Sequence, residues 1–480
     1  MRNSSKIAYF GDENGSNFDP RTIDHSINEY INRPFEEKEV LEQIKKLKNN
    51  KASGIDQVIN EFIKNSPENM VHLIVKMFNI VLETGIIPTD WTIGLIKPIH
   101  KKGSTDDPDN YRGITLLSCI GKCFTAIINT CLTKYLDCVG IIGEEQAGFR
   151  HGYSTLDHIF VFHSILSIYL HKKKRVYVNF IDYKKAFDLI DISSLWSKLI
   201  ASSINGKIIR VIYNMYDNAK SCVVNDSMYS EFFGCNIGVR QGENLSPLLF
   251  AIYLNDFDLF ISRRYEGLKD LSVDIKTFLS DDDVEIFLRI FSLLYADDTI
   301  VMAETERELQ AALNAVFDYC KTWHLTVNTS KTKIVIFSRG KVRKYPDFQF
   351  GDSILQVVSE YVYLGTMFNY NNRFHKNKQK QVSLARRAMF GLISRASKLD
   401  LPLDIQVELF EQLVTPILLY GSEIWGHEDL SCIEVFYMKF CKLILGLNKN
   451  TANLKACREL GKHTFTKAVE SRMLNIGVKI

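Results

Sequence analysis

Long uncharged apolar runs are missing from this 480-residue chain. None reaches the roughly 18 residues that a membrane-spanning helix needs, and the apolar segment after Val71 is broken by Lys76, so no membrane span is expected. The first twenty residues, MRNSSKIAYFGDENGSNFDP, lack an apolar core and a small-residue cleavage site. No secretory signal is expected, and the chain should stay inside the cell. Ten cysteines over this length are too few for a disulfide scaffold, and the closest pair, Cys119 and Cys123, fits neither a zinc knuckle nor a CxxC redox motif. They read as reduced, mostly buried thiols. Excess charge of one sign is also scarce: 59 Lys and Arg face 56 Asp and Glu, which says little about partners.

What is present is a globular composition, 46% apolar and 24% charged. At about 150 residues per domain, roughly three folded units are expected. The charge is unevenly spread. Between Asn371 and Asp400 eight basic residues, Arg373, Lys376, Lys378, Lys380, Arg386, Arg387, Arg395 and Lys398, meet one acid, Asp400. Such a segment repels itself unless it is a solvated helix face or lies beside a polyanion.

Residues 1–33 are polar and without a clear period, as in a flexible tail. Apolar spacing predicts helices over Glu36–Asn49 and Val71–Thr84, the second stopped by Gly85 and Pro88. Lys97–Arg112 reads as a basic loop between extended pieces. A helix over Leu156–Leu170 precedes the basic run HKKKR and then VYVNFI, which alternates as a strand and ends at Asp182. FSLLYA and TIVMA, separated by two aspartates, have the look of a tight hairpin. A helix over Glu306–Trp323 follows, then a strand pair, LTV and KIVIFS. Past Gly365 the chain reads as mostly helical.

Two acidic sites stand where strands end: Asp182 in FIDYKKAFD, and Asp297 with Asp298 in YADD. Asp is common where strands reverse, so ordinary turn residues are one reading. The other is that one antiparallel sheet brings the three together. Crowded carboxylates repel, and either take up protons or bind hard cations such as magnesium.

The ordered blocks resemble the reverse transcriptases of non-LTR, LINE-type retrotransposons. KASGID and LIKPIHKKGSTDDPDNYRGITLLS resemble the amino-terminal finger motifs, and QAGFRHGYST the next finger block. IDYKKAFD and YADD resemble the two catalytic motifs, VRQGENLSPLLF the nucleotide-and-template motif, and VNTSKTK the block after them. YLGT resembles the palm-to-thumb hairpin, and LVTPILLYGSEIWG a stretch beyond the polymerase core. The resemblance implies an α+β right-hand polymerase: fingers over 34–175, an antiparallel-sheet palm over 176–366, and a helical basic thumb with a C-terminal extension over 367–480.

The implied activity is RNA-directed DNA synthesis, extending a primer 3′ end with dNTPs by two-metal phosphoryl transfer. Asp182, Asp297 and Asp298 would hold two Mg²⁺ ions, with Mn²⁺ as a substitute. Asp182 and Asp297 would bridge the ions, and Asp298 would be more peripheral. Lys331, with Lys333 as the competing residue, would protonate pyrophosphate. Arg112, Arg150 and Lys97 would meet the triphosphate, Gln241 and Gly242 the nucleotide or template, and Phe187 would exclude a 2′-hydroxyl. Ser246 and Pro247 would open a helix, Ser246 as its cap. Lys376, Lys378, Lys380, Arg386 and Arg387 would contact the nucleic-acid backbone, and HKKKR would be a loop facing template or a nuclear signal. No room for an endonuclease precedes residue 35 and no Cys/His knuckle follows the thumb, so a separate endonuclease or nicked target DNA is expected as a partner. Other readings are an RNA-dependent RNA polymerase, or a catalytically silent RNA-binding remnant of an element.

Overall fold

The computed structural model describes residues 29–479, apart from 144, 145, 147, 149, 151, 227, 266, 269–291, 296 and 343. Most of the tail expected over 1–33 lies outside the described residues. Glu29–Asn32 form a helical turn that buries Ile31. In chain order the strands are β1 Ile93–His100, β2 Tyr111–Leu116, β3 Val176–Ile181, β4 Lys220–Asn225, β5 Met228–Tyr229, β6 Phe233–Gly234, β7 Ser292–Tyr295, β8 Asp298–Ala303, β9 Lys333–Phe337, β10 Phe348–Phe350, β11 Ser353–Val358, β12 Glu360–Tyr363 and β13 Thr366–Asn369. The chain divides into two compact units where composition suggested about three. Among the described residues no helix is long and apolar enough to cross a membrane.

The first unit takes in described residues of 1–151, 183–261 and 315–328. Helix Glu37–Lys46 presents Val40 and Ile44 to the core and stops short of the expected Asn49. Helix Glu68–Thr84 ends where Gly85 enters the left-handed region at φ 71°, which a side chain resists. Helix Cys119–Val139, capped by the Ser118 hydroxyl, buries Cys119, Cys123 and Cys131 along with Phe124. Phe124 lies 5.2 Å from Phe78 and 5.3 Å from Trp91 between ring centroids. The basic loop lies between extended pieces as expected: residues 101–110, with a short 3₁₀ turn at Pro108–Asn110, join β1 to β2, which pair antiparallel, and β1 also pairs parallel with β4.

One ionic group is sealed inside this unit. The Lys198 ammonium pairs with Asp256 beneath the Trp323 ring, whose centroid is 3.5 Å away. The Tyr319 hydroxyl donates to the same carboxylate at 2.7 Å. Burial pushes Lys198 down to about 8, against the pull of Asp256.

The second unit takes in described residues of 152–182, 262–314 and 329–480. Its centre is a six-stranded sheet, β10-β11-β9-β3-β8-β7, antiparallel except for the β9–β11 pair. Val176, Val178 and Phe180 of β3 are buried. Helix Thr155–His171, opened by a Ser154–Asp157 capping box, sets Phe162 edge-on to Phe180, Phe337 and Phe368. The expected LTV–KIVIFS pair does not form. Val327 makes only an isolated bridge to Tyr183, and β9 pairs with β3 and β11. A run of four buried residues in β9 suits a central strand, and three residues of LTV are too few to partner it. The C-terminal helices His375–Lys398, Leu403–Leu413 and Ser431–Ile444 share a core in which Phe410 stacks on Phe440 at 3.6 Å.

Removing one member of a sealed ion pair strands the other charge. Lys198→Met is therefore expected to lower the urea midpoint of the first unit by the equivalent of about 3–5 kcal/mol, and Lys198→Met with Asp256→Leu to recover most of it. Equal loss in both variants would show that packing, not charge, is at stake.

Candidate active site

The β3–β8 register pairs Ile181 with Thr299, so the next residues along each chain, Asp182 and Asp298, continue opposite one another. The β7–β8 pairing of Tyr295 with Asp298 leaves a two-residue tip. Ala296, in that tip, lies outside the described residues; Asp297 is exposed there and Asp298 is half-buried. Burial, then the charges of Asp297 and Asp182, lift the Asp298 carboxyl to about 6. The three expected carboxylates thus share one electrostatic neighbourhood within the second unit.

Asp182 is held by its backbone: its N–H donates to the buried Thr332 hydroxyl at 3.1 Å. Its Oδ2 is buried and accepts no hydrogen bond, and the Lys331 ammonium stands 3.5 Å away with its side chain 68% exposed. Lys333 turns back on its own loop and donates to the Ser330 carbonyl at 2.6 Å. The ring of Tyr361 stacks on Phe180 at 4.2 Å. Burial, then the Asp298 and Asp182 charges, pushes its phenol up to about 12.

Thr332 and Tyr361 escape the sequence reading. Thr332 sits unmarked between two lysines. Tyr361 shares a strand face with Tyr363, an alternation that could have flagged it.

These carboxylates suit a hard divalent cation by donor type, and a buried carboxylate oxygen that accepts no hydrogen bond, with only a solvent-exposed lysine near it, is what such an ion would satisfy. Among the described residues no group of three or more His, Cys, Asp or Glu side chains is arranged to hold an ion unaided. Water and phosphate oxygens would complete the shell, as is usual for magnesium.

The first unit gathers a second set. Phe187 stacks on Phe250 at 4.8 Å and is half-buried. Gln241 accepts from Arg112 Nε at 3.1 Å and donates to Asp188 at 2.8 Å, a partner not foreseen. Gly242 holds φ 110°, and a Cβ there would meet the Thr115 carbonyl oxygen at 2.8 Å, so only glycine fits. The Arg240 guanidinium is buried and donates to the carbonyls of Trp91, Thr92 and Met215, which anchors the loop from below. Lys97 is exposed in β1, two pairs along from Arg112 and so on the same sheet face. Arg150 points inward, donating to the Gly143 carbonyl at 3.0 Å with its side chain 12% exposed. Ala147, Phe149 and His151 of its block lie outside the described residues.

Ser246 is not the cap of its helix. Leu245 holds that position, and the Ser246 hydroxyl instead donates to the Arg240 carbonyl at 2.8 Å, because its helix begins one residue earlier than a cap would allow.

The basic segment forms helix His375–Lys398. Arg386 and Arg387 are exposed and Lys380 is half-buried. Lys376 pairs with Glu360 at the surface. Lys378 corrects the expectation: its ammonium is buried, paired with Glu428 at 2.8 Å and donating to the Asp429 carbonyl, so it belongs to the packing.

Comparison with known proteins identifies the family. The model of the family described as reverse transcriptase (RNA-dependent DNA polymerase) matches residues 99–368. The chain is 27% identical to a probable RNA-directed DNA polymerase from transposon X-element of Drosophila melanogaster, over 89% of this chain and 46% of that protein. It is 27% identical to the RNA-directed DNA polymerase from mobile element jockey of Drosophila funebris, over 86% of this chain and 44% of that protein. It is 26% identical to a probable RNA-directed DNA polymerase from transposon BS of Drosophila melanogaster, over 91% and 47%. The chain thus spans about half the length of the curated relatives it matches. A solved structure of apo telomerase from Candida tropicalis, truncated from its C-terminal domain, aligns over 59% of this chain and 54% of its own, with a TM-score of 0.38 and 17% identity, too distant to add to the assignment. With more than half its length matched by one family model, and with an α+β fold whose mostly antiparallel sheet carries the carboxylates, the chain belongs to the reverse transcriptase family, of the kind found in LINE-type retrotransposons.

Proposed function

We propose that this chain is an RNA-directed DNA polymerase that extends a primer 3′ end with dNTPs on an RNA template. The observation that carries the reading is the register that sets Asp182 against Asp298 beside Asp297, with the raised Asp298 carboxyl as its electrostatic signature.

Bound there, two Mg²⁺ ions would activate the primer hydroxyl and steady the leaving pyrophosphate. The protein supplies the frame. Thr332 fixes the backbone of Asp182, whose Oδ2 accepts no hydrogen bond and has only the solvent-exposed Lys331 ammonium, 3.5 Å away, for an ion to displace. Lys331, beside Asp182 and largely in solvent, is the better placed proton donor to pyrophosphate, because Lys333 is tied to Ser330. Arg112 presents a guanidinium to the triphosphate from an exposed strand position, steadied by Gln241. The half-exposed Phe187 ring, braced by Phe250, would crowd a ribose 2′-hydroxyl. Exposed Arg386 and Arg387 would meet phosphates of the template–primer duplex without reading sequence.

Primer extension on poly(rA)/oligo(dT) with Mg²⁺ tests the reading. Wild type should incorporate dTTP, and Asp182→Asn or Asp297→Asn should reduce incorporation by at least about 10³-fold with circular dichroism unchanged. Folded wild type that incorporates nothing would favour an RNA-binding remnant, and equal use of UTP would favour an RNA polymerase.

The Asp298 shift gives a pH test independent of activity. A carboxyl raised in the folded state binds more protons folded than unfolded, so its ionisation destabilises as pH rises from about 4 through about 6. Without metal, melting at pH 7 should fall by roughly 2 °C relative to pH 5, less so in Asp298→Asn, and millimolar Mg²⁺ should restore it at pH 7. A wild type and Asp298→Asn with the same pH dependence would remove the coupling.

Salt titration separates the basic residues. Arg386→Ala with Arg387→Ala should lower the log–log salt slope of duplex binding by about 1.5–2 with stability unchanged. Lys378→Met should lower stability and leave the slope alone. The reverse pattern would refute these assignments.

A further inference from the structure

Past residue 368, where the family match ends, a groove of about 540 Å³ runs along the C-terminal half of helix Ser431–Ile444 and the turn after it. Its apolar wall is unusually open to solvent for aliphatic side chains: Val435 is 68% exposed, Leu443 40% and Leu447 38%. Three lysines, Lys439, Lys442 and Lys449, stand around it, and none of its lining residues is acidic. Two of the ammonium groups have partners. Lys442 donates to the Lys449 carbonyl at 2.8 Å, which closes the turn, and the Lys439 ammonium rests 5.7 Å from the ring of Phe390, itself 45% exposed. Gly446, at φ 62°, has nothing within 4 Å of where a Cβ would stand, so no side chain of its own closes the groove there.

Lysines alone would suit any polyanion, but the lining argues for a protein. Single-stranded bases need aromatic faces to stack on, and no residue lining the groove is aromatic. Aliphatic walls with the pliable Met438 in the floor are what the apolar stripe of a helix fills. A rim of one sign then selects a helix whose flanks carry the other.

We propose that this groove receives an amphipathic helix of a protein partner, with aliphatic residues at i, i+3, i+4 and i+7 flanked by Asp and Glu. The occupied groove would dock that partner on the reverse transcriptase through a surface outside its polymerase motifs.

The test uses the full chain and fluorescence anisotropy with a labelled peptide of about 18 residues, leucine at those positions and glutamate or alanine elsewhere. It should bind at roughly micromolar Kd and at least about 10-fold more tightly than the same peptide with lysine for glutamate. Val435→Glu with Lys439→Glu should weaken it by at least about 10-fold with unchanged circular dichroism. No binding, equal binding of the two peptides, or binding indifferent to the double substitution would overturn the proposal. So would displacement of the peptide by oligo(rU) whose own affinity falls in the Val435→Glu variant, since the groove would then belong to nucleic acid.

Discussion

Repulsion among carboxylates, borne by a sheet that cannot slip, is the constraint on which the second unit depends. β3 lies between β8 and β9, and a one-residue shift would turn Val176, Val178 and Phe180 out of the core. That apolar register fixes Asp182 opposite Asp298 whatever the charges prefer. Burial first, and then the charges of Asp297 and Asp182, raise the Asp298 carboxyl there. The fold thus tolerates a carboxyl whose charged form it disfavours, a local cost of the kind that proposed functional sites carry.

The first unit solves a different problem, holding polar groups at a surface without letting them wander. Its loop from Arg240 to Glu243 is fixed from the inside. The guanidinium of Arg240 is spent on main-chain carbonyls, and Glu243, its carboxyl raised by burial against the pull of Arg240, accepts from Tyr216 at 3.2 Å. Only then is Gln241 free to bridge Arg112 and Asp188. At Gly238 a Cβ would come within 2.4 Å of the Asp188 carbonyl oxygen, which is why the approach to this loop needs glycine. Such anchoring is what keeps a surface loop preorganised.

The C-terminal helices show that equal charges do unequal work. Along one helix, Lys378 holds Glu428 in the packing while Arg386 and Arg387 stand in solvent. A buried pair must be complete to be tolerated, whereas an exposed cation keeps its hydration until a phosphate replaces it. Further along, an aliphatic groove stands open to solvent beside lysines, apolar surface and positive charge kept side by side.

The carboxylates, the tight aspartate hairpin, the strand before Asp182 and the amphipathic helices were legible in the chain, because each depends on local periodicity or on residue types that serve few purposes. The roles of Lys378, Arg150 and Ser246 were not, since exposure and hydrogen-bond partners come from elements distant in sequence. Thr332 and Tyr361 stayed hidden for the same reason: neither is chemically conspicuous until the sheet sets it against Asp182 or Phe180. β9 pairs with β3 and β11 and leaves LTV aside, a choice between non-local partners that alternation alone does not make. Sequence thus determined which residue types stand where and which local elements they form; tertiary structure decided which of them are buried, paired or exposed, because burial and pairing belong to the fold as a whole and not to any one segment.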